Sequence, residues 1–410
     1  MSKLSAERLA RAALTMVGEP GDLRLTSLVH KVGGEEVWDG LRKQHLGDEI
    51  AGDLAARIAA ADPESMLRGV GRQGIRFVIP GDEEWPGCLD DLDFCAPLHA
   101  RGGVPVGLWV RGSRCLSEVV ESSVSIVGSR SATTYGAEVT RQFAMELAQE
   151  GHASVSGAAY GIDQAAHRGS LVAGGQSVAL LSCGVDRPYP TAHRELLDWI
   201  ADNGVVVSEA PPGASPTKIR FLARNRLIAA LGKGVVVVEA ALRSGALNTA
   251  NWGLGIGRPV MGVPGSITSA PSSGVHQLIR NKDAALVTNG AEILEVISEM
   301  GEHMLAFPRE EPKPLDLLTP EQQQVFDAVP VPRRCAERSG QSYRGPWAGQ
   351  DRVGPTRVAA AWSGLARRRA LVPLQVRLRR PRSGWPAGSV NAEDCRSAHL
   401  ECVRWRHSRA

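Results

Sequence analysis

Between about residue 122 and residue 300 the chain alternates two hydrophobic patterns. Short β-branched runs recur at Val124–Val127, Ala153–Ser156, Val178–Leu181, Val205–Ser208, Val235–Val238, Val260–Val263 and Ala285–Val287. The segments between them carry apolar residues at helical spacing: Tyr135–Glu150, Ile162–Ala173, Thr191–Asn203, Arg226–Leu231 and Leu247–Ile256. Strand alternating with helix predicts right-handed crossovers and a mostly parallel sheet. The strands are nearly continuous in apolar residues, as they must be when both sheet faces are buried. The fold class is therefore α/β: an extended Rossmann-like, mostly parallel sheet with helices on both faces, spanning residues 119–300.

The flanks follow a different grammar. Residues 1–68 predict short helices at Leu4–Val17, Leu23–Val32, Glu35–Gln44 and Asp48–Ala60, broken by Val17-Gly18-Glu19-Pro20-Gly21 and Gly33-Gly34. They suggest a small α-helical domain of SAM or helix-hairpin-helix type, serving DNA-backbone contact, protein contact or plain packing. Residues 69–118 form a bridging extension, with strands expected at Ile75–Ile79 and Leu108–Val110. Residues 301–332 read as a linker and the start of a further helix, with Thr319 as N-cap, Pro320 at its first position and Gln322 reaching back.

Charge changes the picture only when it is partitioned. Residues 333–410 hold 17 Arg, no Lys and 5 acids, a net +12, and lack Ile, Phe and Met altogether. The preceding residues hold 30 bases and 39 acids, so the body is acidic at −9. Any nucleic-acid binding by the body must come from a local basic pocket. The tail reads either as a basic nucleic-acid arm or as an out-of-frame reading of a GC-rich gene. GC-rich codons favour Arg, Gly, Pro, Ala and Trp and exclude Lys, Ile and Phe, so this composition favours the second. Seven cysteines without a CxxC pair or a His at finger spacing argue against a zinc site and a disulfide scaffold. No cofactor is indicated. No signal peptide or membrane-length apolar run is visible, which points to the cytoplasm.

Five strand-end loops carry candidate chemistry. The first, Gly128-Ser129-Arg130 followed by Thr133-Thr134-Tyr135-Gly136, joins a strand to a helix; it can approach an anion, or be an ordinary βα turn. It lacks the full GxGxxG of a dinucleotide site. The second, Ser156-Gly157-Ala158-Ala159-Tyr160-Gly161-Ile162-Asp163, lies beside it; Asp163 can simply support the helix, and His167 reads as packed rather than catalytic. The third is the densest. Lys218, Arg220, Arg224 and Arg226 surround Phe221 within nine residues, and bases with an aromatic suit a single strand better than a solvated charge run does. This cluster is expected on a loop at the sheet edge, so that substituting Lys218, Arg224 or Arg226 leaves the fold intact. The fourth runs from Val238-Glu239-Ala240 to Ser244-Gly245, and the fifth is Val263-Pro264-Gly265-Ser266. Several such loops suggest an extended anionic ligand.

Taken in order, these motifs, with Gly184-Val185-Asp186, Tyr189-Pro190, Ser208-Glu209 and Arg224-Asn225-Arg226, resemble the DprA/Smf family over roughly residues 75–297. The resemblance implies a non-enzymatic protein that binds single-stranded DNA, forms a homodimer and loads RecA in transformation or recombination. Carried over by position, it implies a DNA pocket lined by Arg130, Lys218, Arg220, Phe221, Arg224, Asn225 and Arg226. Gly128, Ser129, Ser156, Gly157, Ser244 and Gly245 would give close backbone approach. Leu222 stands where family members usually have Pro, which leaves φ freer there. Many members end in a winged-helix domain; residues 318–330 resemble its opening, and the expected continuation is absent.

The alternative is a nucleotide hydrolase of phosphoribohydrolase type. Its Pro-Gly-Gly-x-Gly-Thr loop is missing, as are a GxSxG elbow and a GxxxxGK[ST] loop. Glu209 and Glu239 remain the conceivable acids. A protein-interaction adaptor would leave the Lys218–Arg226 cluster unexplained.

Overall fold

The β-branched runs build the middle of a nine-stranded sheet. Its strands are β1 (Ile75–Val78), β2 (Leu108–Arg111), β3 (Ser123–Val127), β4 (Ala153–Ser156), β5 (Ser177–Leu181), β6 (Val205–Ser208), β7 (Val235–Val237), β8 (Val260–Gly262) and β9 (Ala285–Leu286). The computed structural model describes residues 3–43, 55–299 and 302–303. Strand order is β1-β2-β6-β5-β4-β3-β7-β8-β9. Every pair from β6 to β9 is parallel, while β2 pairs antiparallel with both β1 and β6. The bridging residues thus extend the Rossmann-like sheet at one edge.

The N-terminal segment folds into α1 (Lys3–Val17), α2 (Leu23–Val32), α3 (Gly34–Arg42) and α4 (Pro63–Gly71). Of the helix expected at Asp48–Ala60, residues 55–60 are helical and 48–54 lie outside the described residues. Leu14, Val17, Leu25, Val29, Val37 and Leu41 form the core of this block, which Val106 of the bridge completes. Arg8 donates to Phe77 O at 2.6 Å and pairs with Asp82, and Arg11 donates to Val106 O at 2.8 Å. The helical block is therefore fastened to the sheet extension by charge-assisted hydrogen bonds as well as by apolar packing.

Helices cover both faces. One face carries α5 (Leu116–Glu121), α9 (Lys218–Leu231), α10 (Gly245–Gly255) and α11 (Ser273–Arg280), packed over Val155, Leu180, Val207 and Val237. The other carries α6 (Thr134–Gln149), α7 (Ile162–Val172), α8 (Arg194–Asn203) and α12 (Gly290–Ile297), packed over Ile126, Val236, Ala179 and Val206. Every residue of β3 to β8 is buried, as a doubly covered sheet requires.

One element departs from the pattern-based expectation. Helix α9 begins at Lys218, not at Arg226, and Thr217 caps it by accepting from Arg220 N at 3.3 Å. The supposed loop of bases is two turns of helix. It is buried on more than one side, with Arg224, Asn225 and Arg226 among its buried residues, so no amphipathic stripe marks it in the sequence. The linker beyond 303, the helix start at Thr319 and the Arg-rich tail lie outside the described residues. Among the described residues, no helix is long and apolar enough to cross a membrane, and no group of His, Cys, Asp and Glu could hold a metal ion.

Candidate nucleic-acid interface

Strands β3 and β7 are neighbours at the centre of the sheet, and the chain leaves them in opposite directions. From β3 it crosses over α6 to β4; from β7 it crosses over α10 to β8. That divergence opens a crevice at the carboxyl ends of the strands, the place where open α/β sheets bind ligands. A cleft of about 730 Å³ lies there.

Its floor and walls come from four segments. The loop after β3 supplies Gly128, Ser129, Arg130 and Ser131, the loop after β4 supplies Ala159, and the first turn of α7 supplies the buried Asp163. The loop after β7 supplies Ala241, Arg243, Ser244 and Gly245. One side of α9 supplies Lys218, Phe221, Leu222, Arg224 and Asn225. Four cations line the cleft against one carboxylate, so it is a basic site in an acidic body.

The cations differ in how they are held. Arg130, Lys218 and Arg243 are exposed, and among the described residues none has a carboxylate at ion-pairing distance. The Arg130 guanidinium sits 4.7 Å from the centroid of the Phe221 ring, a cation–π contact that holds both at the cleft mouth. Arg224 is buried: its Nη1 donates to Gly157 O at 2.6 Å and to Leu180 O at 2.5 Å. Burial pushes its pKa down to about 10, with the Asp163 charge opposing the shift, so it stays protonated at neutral pH. Asp163 is itself pushed up by burial, against the pull of Arg224.

Several residues expected to meet DNA are placed elsewhere. Arg226 is fully buried in a two-pronged pair with Glu209, both contacts at 2.8 Å, and its Nε donates to Gly103 O at 3.1 Å. Arg220 is bound by Glu19 of the helical block at 2.9 and 3.1 Å. Both point away because positions 220, 223 and 226 form an i, i+3 row on α9, while 218, 221, 222 and 225, at i, i+3, i+4 and i+7, share another side. Ser156 is also buried, with its Oγ donating to Ile126 O at 2.6 Å, and joins β4 to β3 rather than lining the cleft. Gly157 makes room for Arg224, since a Cβ there would overlap the guanidinium. The expectation that Arg224 and Arg226 are dispensable loop charges is overturned by this burial.

The remaining candidates lie at the cleft. Ser129 Oγ accepts from Ser131 N at 3.2 Å, and Ser244 caps α10 by accepting from Ala246 N at 3.3 Å. Asn225 Nδ2 donates to Asn248 Oδ1 at 3.1 Å, tying α9 to α10. Gly245 faces open space, with nothing within 4 Å of a Cβ placed there. Gly128 is needed for packing, because a Cβ would press on Ile162 and on Glu239 O at 3.0 Å. Arg243 is not among the sequence-predicted site residues, although it directly precedes the Ser244-Gly245 turn; a base beside a capping serine is the signal that marks it.

His167 is packed, as its position suggested. Its Nε2 accepts from Ala158 N at 3.3 Å and its Nδ1 meets Ser177 Oγ at 2.7 Å, while burial pushes its pKa down to about 3. The two conceivable catalytic acids are engaged as well. Glu239 accepts from Thr133 N at 2.9 Å and from its hydroxyl at 2.5 Å, and Glu209 holds Arg226.

Comparison with known proteins agrees with this architecture. The family described as DNA recombination-mediator protein A matches residues 76–298. A Mycobacterium tuberculosis relative that carries the DprA name is 43% identical over 330 residues, 78% of this chain and 82% of its own length. The Escherichia coli protein Smf is 39% identical over 248 residues, 60% of this chain and 64% of its own. The X-ray structure of DNA processing protein A from Streptococcus pneumoniae superposes with a TM-score of 0.58 at 31% identity, covering 70% of this chain and 96% of that one. With more than half of its length matched by the family and its sheet, switch-point cleft and ordered motifs in place, the chain belongs to the DNA recombination-mediator protein A family, the DprA/Smf proteins.

Proposed function

We propose that this protein binds single-stranded DNA in the switch-point cleft and hands it to RecA, as a binding protein rather than an enzyme. The observation that carries the reading is the set of three exposed cations, Arg130, Lys218 and Arg243, unpaired among the described residues, around the half-buried Phe221 ring. Cations that neutralise phosphates beside an aromatic that stacks a base suit a single strand. A duplex keeps its bases stacked away from Phe221. The hydrolase alternative loses ground because Glu209 and Glu239 are both committed to structural hydrogen bonds.

The test is a fluorescence-anisotropy titration of labelled dT20 against a hairpin duplex of equal charge. Tighter binding of dT20, weakening with salt at a log–log slope of about −0.7 per phosphate neutralised, is expected. Equal affinity for the two overturns the reading. The RecA step is tested separately, by whether the protein speeds RecA filament growth on a strand already covered by single-strand binding protein. Homodimerisation and a cytoplasmic site of action belong to the same proposal; sedimentation of the full chain as a monomer at micromolar concentration would remove the first.

A further inference from the structure

Beyond the cleft, the same sheet edge carries two exposed aromatic rings that the DNA reading above does not use. Tyr160 follows β4 and is 48% exposed; Tyr189 follows β5 and is 42% exposed. Tyr189 lies 5.7 Å from Phe221, centroid to centroid, so its ring is continuous with the cleft wall. Tyr160 packs edge-on against His193 at 4.7 Å, and the buried His193 ring is fixed by its Nδ1 contact with Ala158 O at 2.9 Å.

How these rings are held matters. The third exposed tyrosine at this edge, Tyr135, donates its hydroxyl to Pro264 O at 2.6 Å. Among the described residues, the hydroxyls of Tyr160 and Tyr189 have no such partner, so ring contacts and the loop backbone set their orientation. Arg187 stands in the same loop as Tyr189, its guanidinium donating to Gly213 O and Ser215 Oγ without a carboxylate partner among the described residues. The facing acid, Asp186, is held by Gly213 N at 2.9 Å. Tyr189 and Arg187 thus put an exposed ring and a cation with no carboxylate partner among the described residues on one loop.

We propose that Tyr189 and Tyr160 extend the cleft into a stacking platform for further unpaired bases of the same strand, with Arg187 beside the phosphates between them. The loops that carry the two rings follow β4 and β5, which are neighbouring strands about 5 Å apart. It takes unpaired nucleobases of any identity, since every base presents a π-face. This inference rests on the single-strand reading above.

The experiment pairs two oligomers with two forms of the full chain. One oligomer is dT15; the other is a 15-residue abasic strand with the same phosphates and no bases. The Tyr160→Leu/Tyr189→Leu chain should bind dT15 about fivefold or more weakly than the parent. Its affinity for the abasic strand and its salt slope should stay within about twofold, because no phosphate contact is removed. Tyr160→Phe/Tyr189→Phe, which keeps both rings, should keep the base-dependent gain, and this guards against a folding defect in the leucine variant. Equal losses on the two oligomers, or no loss on dT15, overturn the platform while leaving the single-strand reading intact. A parent that binds neither oligomer overturns both.

Discussion

Replacing Arg226 by Ala should unfold this protein more readily rather than trim its DNA affinity. The guanidinium is fully buried and meets Glu209, itself 6% exposed, through two hydrogen bonds of 2.8 Å. Removing it strands a buried carboxylate and frees Gly103 O, which Arg226 Nε also satisfies. Breaking one side of such a pair costs about 3–5 kcal/mol. At about 2–4 °C per kcal/mol for a body of this size, the melting temperature should fall by roughly 6–20 °C. Replacing both partners by Met removes the stranded charge and should recover much of the loss. Recovery should stop short by about 1–3 kcal/mol, because Gly21 N, which donates to Glu209 Oε1 at 3.3 Å, and Gly103 O lose their partners. Urea unfolding of the three chains, with the anisotropy titration run in parallel, separates structure from ligand contact. An Arg226→Ala chain as stable as the parent that no longer binds DNA would refute the argument and return Arg226 to the DNA pocket.

Three further outcomes follow from the same geometry. Gly245→Ala should melt like the parent and bind single strands more weakly, whereas Gly157→Ala should lose both stability and binding by displacing Arg224; thermal melts beside titrations distinguish them. Arg243→Ala should lower affinity and flatten the log–log salt slope by about 0.7 if it neutralises one phosphate; an unchanged slope removes it from the site. His167 is neutral in the fold down to about pH 3, while the unfolded chain takes up its proton near 6.5, so stability should fall as pH drops through that window. The loss should reach about 2 kcal/mol between pH 7 and 5; Asp163, pushed up by burial, acts with the opposite sign. Urea midpoints of a His167→Gln chain that track the parent across this range would count against the histidine as the cause.

The sheet was legible because burial on both faces leaves a simple signature. Strands β3 to β8 are runs of small, β-branched and other aliphatic residues, and their polar side chains are all serines, most of which bond inward, such as Ser125 Oγ to Ile228 O at 2.6 Å, while the buried Ser154 hydroxyl has no partner. Three short helices were not legible. Helices α5, α11 and α12 have at most eight residues, too few for a 3.6 period to stand out from noise. The strand-end loops Gly128–Arg130 and Ser244-Gly245 could be found because a small residue beside a hydroxyl after a strand is a local pattern.

Helix α9 shows where such local patterns stop. Four bases and a phenylalanine within nine residues look like one basic patch on a line of sequence, and composition alone assigns them one role. A helix turns 100° per residue, so the same cluster is divided between two sides. Lys218, Phe221, Leu222, Arg224 and Asn225 turn to the cleft; Arg220, Ala223 and Arg226 turn to the N-terminal block. What separates the two sets is the partner, and the partners are distant: Glu19 lies 201 residues from Arg220, and Glu209 lies 17 from Arg226. Nothing near α9 in sequence announces either pairing, although each leaves a trace. Glu19 sits in the Gly18-Glu19-Pro20-Gly21 break, where a turn exposes a carboxylate, and Glu209 follows β6, where a buried strand end seldom tolerates an unpaired acid. An acid at a buried strand end asks for a base, and the arginine that answers it is withdrawn from any ligand. Counting bases therefore overstates a binding site unless the acids that claim them are counted first.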